Sequence, residues 1–322
     1  MSVPGKVPGK MQPKNFTFTS DLIQDKRHIV FILNGSRPLK KEHLLLLAQV
    51  QEWYEFEVET LTTRTEKDAI RFARESAATA WCIVAVGGDG TYHEVVNGIV
   101  ESGASCLFSC IPNGTGNDYQ RMLGGFDADR WLKALKIGAE RKVDIIEIVH
   151  GDQRRFALNI AGCGFDGYVV RLLTRQREKW KIPGKVSYAT AIIRAFFTYR
   201  KSELTITSKE FQFAGKALMV AACKGSTFGY GLVLAPEARL DSGILEMVVL
   251  SKVSLVDYVR NLSRLKHGKK INHPEAHYFQ SKEIEVMASG PTLSCEADGE
   301  LIGEGSLVFR VLPSYLRVLY NA

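Results

Sequence analysis

The 322-residue chain carries 42 Lys and Arg against 35 Asp and Glu, a formal net charge of +7, with 45% of its residues hydrophobic and 24% charged. This is the composition of a globular protein large enough for a sizeable core and two domains, and the basic excess favours phosphates, acidic lipid surfaces or nucleic acid as partners. No apolar run approaches the roughly 18 residues of a membrane-spanning helix; the six cysteines, without a C-x-x-C pair, fit reduced thiols of a cytosolic protein better than a disulfide framework or a zinc site.

Residues 1–27, opening "MSVPGKVPGKMQPK", are basic and rich in Pro and Gly with no hydrophobic signal core, and are expected to be a disordered leader. From His28 strands and helices alternate. "HIVFILN" (28–34) reads as a strand, 38–51 as a Leu-rich helix, "YEFEVETL" (54–61) as a strand of period two, and "EKDAIRFARESAATA" (66–80) as a helix. "CIVAV" (82–86) has the composition of a covered central strand. It runs straight into "GGDGT" (87–91), after which Val95, Val96 and Ile99 keep helical spacing. Gly87, Gly88 and Gly90 are therefore expected to form a strand-to-helix turn, where glycine permits positive φ and lets a ligand touch the backbone. A helix starting there would aim free N–H groups and its positive dipole end at an anion. A strand ("CLFSCI"), a loop ("PNGTGND", 112–118) and a helix around Trp131 to Ile137 complete this half. The alternation predicts a parallel sheet with helices on both faces. Ligands of such sheets bind beyond the carboxyl ends of the strands, so the two glycine loops should share one cleft.

After about residue 142 the rhythm changes to short strands, among them "KVDIIEIV", "ALMVAAC", "GILEMVVL" and "SLVFRVL", interrupted by helical stretches around 166–200 and 253–267. This half reads as an antiparallel sandwich or barrel, and the expected domains are 28–142 and 143–322. The basic, aromatic segment 177–201, with Trp180, Phe196, Phe197 and Tyr199, reads as an amphipathic helix packed on the sheet; docking on anionic lipid headgroups is the alternative. His273 and His277 are expected to be solvent-exposed rather than a metal pair, because Pro274 separates them and no third ligand is evident. "DGE" (298–300) reads as a type I′ hairpin turn.

In the second loop Gly114 and Gly116 free the backbone, Thr115 offers a hydroxyl, and Asn117 and Asp118 are natural helix-capping types. Two such turns at neighbouring strand ends point to a shared phosphate and metal site. Asp89 and Asp118 are the carboxylates that could hold Mg²⁺ there, directly or through water.

"GGDGT" together with "PNGTGND" resembles the catalytic domain of diacylglycerol kinases, in particular the bacterial soluble lipid kinases related to sphingosine and ceramide kinases. "VDI" (143–145), "NIAGCGFDGYV" (159–169), "APEARLDSGILEM" (235–247) and "DGE" follow in family order, so the resemblance spans roughly residues 28–320. It implies an α/β N-terminal nucleotide-binding domain of the NAD kinase and diacylglycerol kinase type, and an antiparallel β-sandwich that takes the lipid. By that resemblance Gly87, Gly88, Asp89, Gly90, Thr91, Tyr92 and His93 would contact the nucleotide phosphates, with Asn34, Thr63, Gly114, Thr115 and Asn117 adding contacts to ATP. Asp89, Asp118 and Asp144 would form a Mg²⁺–water network, which also counts Asp89 among the catalytic residues. Asp298 and Glu300 match the carboxylates that share the general-base assignment, and the choice between them stays open.

Two departures stand out. The first strand of the family usually ends in Asn-Pro, a small residue and Gly, whereas here Asn34 is followed by Gly35 and the later glycine is absent. A structural Mg²⁺ in the family would use the backbone oxygens of Arg239 and Ile244 and a side chain at 242; Ser242 lacks the negative charge that hard cations favour. The resemblance implies an ATP- and Mg²⁺-dependent lipid kinase acting on a hydroxyl of a diacylglycerol-like or sphingoid lipid. The rivals are an NAD kinase, which shares the "GGDGT" turn, and a non-catalytic lipid- or nucleotide-binding regulator. The expected partners are ATP and a lipid at a membrane surface, not nucleic acid, with a homodimer left open. The expected location is the cytoplasm with transient peripheral membrane association.

Overall fold

The computed structural model describes residues 26–179, 184–290 and 293–320; residues 1–25 of the expected leader and Trp180 lie outside them. Four parallel strands, β1 (Arg27–Leu33), β2 (Phe56–Thr62), β3 (Cys82–Gly87) and β4 (Leu107–Pro112), lie in the order β2-β1-β3-β4. All six residues of β3 are buried, as an unbroken apolar strand covered on both faces must be. One face packs on α2 (Asp68–Ser76) and α3 (Asp89–Ser102) through Ala69, Ala73, Val95, Val96 and Ile99. The other packs on α1 (Lys41–Gln51) and α5 (Ala128–Ile137) through Leu46, Leu47, Val50, Trp131 and Leu135. The short α4 (Asp118–Met122) follows the second glycine loop.

The remaining strands are β5 (Glu140–His150), β6 (Gln153–Ala157), β7 (Ile160–Gly164), β8 (Ser202–Thr207), β9 (Gln212–Ala217), β10 (Met219–Cys223), β11 (Thr227–Phe228), β12 (Leu232–Val233), β13 (Leu245–Leu250), β14 (Ala276–Ser281), β15 (Glu283–Ala288), β16 (Ser294–Ala297), β17 (Glu300–Glu304) and β18 (Leu307–Leu319), with α6 (Phe165–Lys179), α7 (Gly184–Thr198) and α8 (Leu255–Lys266) between them. An antiparallel sheet, β14-β13-β10-β7-β16-β17, faces the antiparallel strands of a ten-stranded sheet. Period-two alternation divides the side chains between layers. On β10, Val220 and Ala222 enter the core between the sheets, while Met219, Ala221 and Cys223 pack beneath α6 and α7. The second half is thus a sandwich with helices on its outer face.

The ten-stranded sheet runs through both halves because β18 serves each. Its first residues pair with β15, and Arg317 and Val318 pair parallel with Leu107 and Phe108 of β4. The strand shifts register against β5 between Leu312 and Leu316, where Pro313 cannot donate to a ladder and Ser314 takes φ 51°. His273 and His277 are half-buried rather than exposed: His273 lies 3.7 Å from Asp257, and His277, on β14, packs obliquely on Phe211. All six cysteines are free and buried. Among the described residues no helix is long and apolar enough to cross a membrane.

Candidate active site

The two glycine loops lie against each other at the carboxyl ends of β3 and β4. A methyl added at Gly114 would come within 2.5 Å of the Gly88 Cα, and one added at Gly88 within 3.1 Å of the Gly114 Cα. Such distances leave no room for side chains on the facing atoms. Close approach, not positive φ, is what these glycines supply. Gly88 caps α3 in an extended conformation (φ −113°, ψ −171°), and Gly87 and Gly90 also stay out of the left-handed region. Asn117 does enter it (φ 54°) at the cap of α4, but its side chain does not cap the helix. Its Oδ1 accepts from the Gly114 N–H at 3.2 Å and its Nδ2 donates to the Gly114 carbonyl at 3.1 Å, closing the loop on itself.

The loop after β1 joins them. Asn34 Nδ2 donates to Thr91 Oγ1 (2.9 Å), and the Gly35 N–H donates to Thr63 Oγ1 (3.1 Å). A methyl at Gly35 would meet the Thr63 carbonyl at 2.1 Å, so glycine is what lets this loop lie against β2. Arg37 Nη1 donates to Thr115 Oγ1 (2.9 Å), bridging the loop after β1 to the second glycine loop.

Asp89 and Asp118 meet beside Gly116: a methyl there would lie 2.9 Å from Asp89 Oδ2 and 3.6 Å from Asp118 Oδ2. Asp89 Oδ1 accepts from the Tyr119 N–H (3.1 Å) at the start of α4. Asp118 Oδ1 accepts from Arg121 (2.6 Å) and its Oδ2 from the Tyr230 N–H (3.1 Å). Burial pushes the Asp89 carboxyl above its ordinary value, and the neighbouring Asp118 and Asp298 charges add to the rise. Two desolvated carboxylates facing one point are a hard-oxygen donor set of the kind Mg²⁺ takes, and a cation would relieve their repulsion. Among the described residues no three acidic, His or Cys side chains converge to ligate a metal alone, so any ion here would complete its shell with other oxygens, such as water or phosphate.

The hairpin between β16 and β17 closes the cleft from the second half. Asp298 and Gly299 take φ 51° and 86°, as a type I′ turn requires. Asp298 is anchored at both oxygens. Its Oδ2 accepts from the Leu158 N–H (2.8 Å) and faces His93 Nδ1 (3.1 Å), while its Oδ1 accepts from the Asn159 (2.9 Å) and Ile160 (3.3 Å) N–H groups. Glu300 is exposed and stands over the first loop, its Oε1 2.7 Å from where a methyl on Gly90 would be. Glu94 lies near it and its carboxyl is pushed up by burial first and by the Glu300 charge second.

One cavity of about 1130 Å³ connects these groups to an apolar recess, a volume at the upper end of small-molecule sites. Of the residues expected at the site, Asn34, Thr63, Gly88, Asp89, Gly90, Thr91, Gly114, Thr115, Asp118, Asp298 and Glu300 line it. Gly87, Tyr92, His93 and Asn117 stand behind: the Tyr92 hydroxyl donates to the Gly87 carbonyl (3.0 Å), and His93 is buried between Asp298 and Asn97. Asp144, Arg239, Ser242 and Ile244 do not belong to the lining either. Both Asp144 oxygens accept hydrogen bonds, Oδ2 from Lys224 Nζ (2.7 Å) and the Gly243 N–H (2.6 Å), Oδ1 from the Ser314 N–H (2.8 Å). Sequence reasoning missed Arg37 and Arg64, exposed cations that line the cavity just past the ends of β1 and β2. Their position beyond parallel strand ends was the available signal.

The recess is formed by Phe165, Val169 and Leu173 of α6, Ile192 of α7, and Met219 and Leu234. At its edge sit two carboxyl groups, Asp166 and Glu296. Burial pushes Asp166 up to about 7, and burial followed by the Asp166 charge pushes Glu296 well above its ordinary value.

Known proteins share this arrangement at the level of family and fold. The model of the diacylglycerol kinase catalytic domain matches residues 28–148, and that of the YegS C-terminal NAD kinase beta sandwich-like domain matches residues 159–320. The diacylglycerol kinase of Bacillus subtilis (strain 168) is 28% identical over 283 residues, 86% of this chain and 90% of that protein. The crystal structure of a diacylglycerol kinase from Bacillus anthracis str. Sterne superposes with a TM-score of 0.67 at 20% identity, covering 92% of this chain and 98% of that one. The crystal structure of an NAD kinase from Archaeoglobus fulgidus in complex with ATP does so with a TM-score of 0.52 at 11% identity, covering 91% and 94%. At these identities the superpositions speak for the fold alone.

Proposed function

Since the chain belongs to the diacylglycerol kinase catalytic-domain family, we propose that it transfers the γ-phosphoryl group of ATP to a hydroxyl of a diacylglycerol-like or sphingoid lipid. The observation that carries the reading is the single cavity in which a polar cleft at the strand ends opens into an apolar recess, with the Asp298–Glu300 hairpin between them. ATP phosphates would lie on the backbone of the paired glycine loops, with the Arg37 and Arg64 guanidinium groups at the rim and the acyl chain of the acceptor in the recess beneath α6 and α7. Mg²⁺ between Asp89 and Asp118 would offset the charge of the β- and γ-phosphates.

Phosphoryl transfer is mostly positioning and charge neutralisation, but the acceptor hydroxyl must still lose its proton. Glu300 suits that role, because its exposed carboxylate stands over Gly90 of the first glycine loop. The acceptor O–H proton passes to Glu300, the oxygen bonds to the γ-phosphorus, and the breaking P–O bond leaves its electron pair on ADP. Asp298 positions the hairpin and His93.

The acceptor sits in a bilayer, and α7 offers a surface for reaching it. Val186, Ile193 and Phe197 are exposed at a spacing that puts them on one face, near Lys185 and Arg194, whereas Phe196 packs inward on Phe165. The test is incubation of the protein with labelled ATP, Mg²⁺ and a total lipid extract, with products identified by mass. The reading expects a phosphorylated lipid with wild type and none with Asp89→Asn. Labelled NADP formed from added NAD, with no labelled lipid, would overturn it.

A further inference from the structure

We propose that the ammonium group of Lys224 takes the place of a divalent cation in the turn Arg239–Ile244, making this region of the fold independent of metal. The family resemblance puts a structural Mg²⁺ on the backbone oxygens of residues 239 and 244 and a side chain at 242. Here two of those groups, the Ser242 side chain and the Ile244 carbonyl, are bonded to Lys224 instead. Its Nζ donates to Ser242 Oγ at 2.9 Å, the Ile244 carbonyl at 2.8 Å and Asp144 Oδ2 at 2.7 Å. Ser242 Oγ in turn lies 3.3 Å from the Arg239 carbonyl. The Lys224 and Asp144 side chains are 0% and 1% exposed. An ammonium has three donors, and all three are used at the lengths of charge-assisted hydrogen bonds.

The charges also agree. A divalent cation beside an aspartate carries one net positive charge, and so does a lysine beside a serine. The two sequence features, Ser242 and Lys224, are thus complementary halves of one exchange. A metal ion bound to the same oxygens would sit against a buried ammonium, and like charges at that range in a dry site repel strongly.

The exchange occurs at a structural junction. Asp144 on β5 also accepts from the Ser314 N–H, at the irregularity of β18, and from the Gly243 N–H, and its own N–H donates to the Leu240 carbonyl (2.7 Å). The backbone N–H of Lys224 donates to the Asn159 carbonyl (2.9 Å), and Asn159 donates to Asp298 in the cleft. The backbone at Lys224 is thus connected to the cleft through one intervening residue, Asn159.

Thermal melting tests this without reference to kinase activity, so its failure and that of the functional reading can be told apart. Melts are run in the Asp89→Asn background, which removes the cation site of the cleft, in MgCl₂ and in EDTA. The Lys224-containing protein is expected to melt at the same temperature in both. Adding Lys224→Met is expected to lower the melting temperature by roughly 4–8 °C or to prevent folding, because it strands the buried Asp144 charge. Lys224→Ala combined with Ser242→Asp is expected to melt low in EDTA and to recover in MgCl₂. A Lys224-containing protein that melts lower in EDTA would overturn the proposal. So would a Lys224→Met protein that melts unchanged, or a doubly substituted turn indifferent to Mg²⁺.

Discussion

Replacing each hairpin carboxylate by its amide should separate the two roles proposed for Asp298 and Glu300. Asp298 receives three backbone N–H groups and faces His93, with all four nitrogens within 3.3 Å of its two oxygens. Asp298→Asn removes the charge and turns one acceptor atom into a donor pointed at other donors. Losing one charge-assisted bond and stranding a buried N–H costs about 3 kcal/mol, which for a chain of this size lowers the melting temperature by roughly 4–5 °C. Glu300 is exposed, so Glu300→Gln should change stability by no more than about 0.5 kcal/mol. If it is the base, kcat should fall on the order of 10²- to 10⁴-fold with ATP affinity unchanged. Calorimetry, ATP titration and turnover on the lipid identified from the extract would be compared for both variants. A Glu300→Gln enzyme with wild-type kcat, beside an Asp298→Asn enzyme that melts normally but does not turn over, would reverse the assignment.

Two further outcomes follow from the packing and the buried carboxyls. Gly114→Ala puts a methyl 2.5 Å from the Gly88 Cα and Gly88→Ala one 3.1 Å from the Gly114 Cα; the first must push the facing backbones apart by about 1 Å and should cost on the order of 10²-fold in kcat/KM for ATP, the second clearly less. Equal ATP kinetics in both variants would refute the backbone-contact account. For Asp166 the folded carboxyl is raised to about 7 above its unfolded value, so the folded state binds the extra proton and stability falls as pH rises between those two values. Asp166→Asn should therefore gain melting temperature over wild type at pH 8, with the gap closing as the pH is lowered through 7 towards 4; a gap independent of pH would contradict this.

The sequence carried the outline of the fold through its periodicities. The covered run at 82–86, the two glycine loops at strand ends and the "DG" hairpin each have a local cause, and local causes can be read from local residues. What it did not carry was physical reason at a distance. The glycines of "GGDGT" read as turn formers, but what they meet is Gly114, twenty-six residues after Gly88, and no local pattern encodes that contact. Asn117 reads as a helix cap and instead bonds back to Gly114. The division near residue 142 follows a real change of rhythm, yet β18 returns from the chain's end to pair with β4, a pairing set by tertiary context. Lys224 follows an apolar strand, where nothing announces that Asp144 and Ser242 will surround it.

On the proposed function, the placement of the proton acceptor relative to the lipid depends on a short stretch of covalent chain. The N–H groups of Leu158, Asn159 and Ile160 hold Asp298, and the same segment continues as β7 into α6, whose Phe165 and Val169 line the recess. All five residues of β7 are buried, and β7 is bonded to β10 on one side and β16 on the other. A strand held on both edges cannot shift without breaking two ladders, so the hairpin and the mouth of the recess keep their spacing together. Motion needed to admit or release substrates must then come from elsewhere. The segments around the cavity without a ladder on both sides include the loops after β1 and β2, which carry Arg37 and Arg64, and the helices α6 and α7. Those are the segments where a bound nucleotide or lipid should change hydrogen-exchange protection, while β7 and β16 should exchange slowly with or without ligand. Ligand-induced protection confined to β7 and β16, with the arginine loops and α7 unaffected, would show that the cleft does not work as this architecture requires.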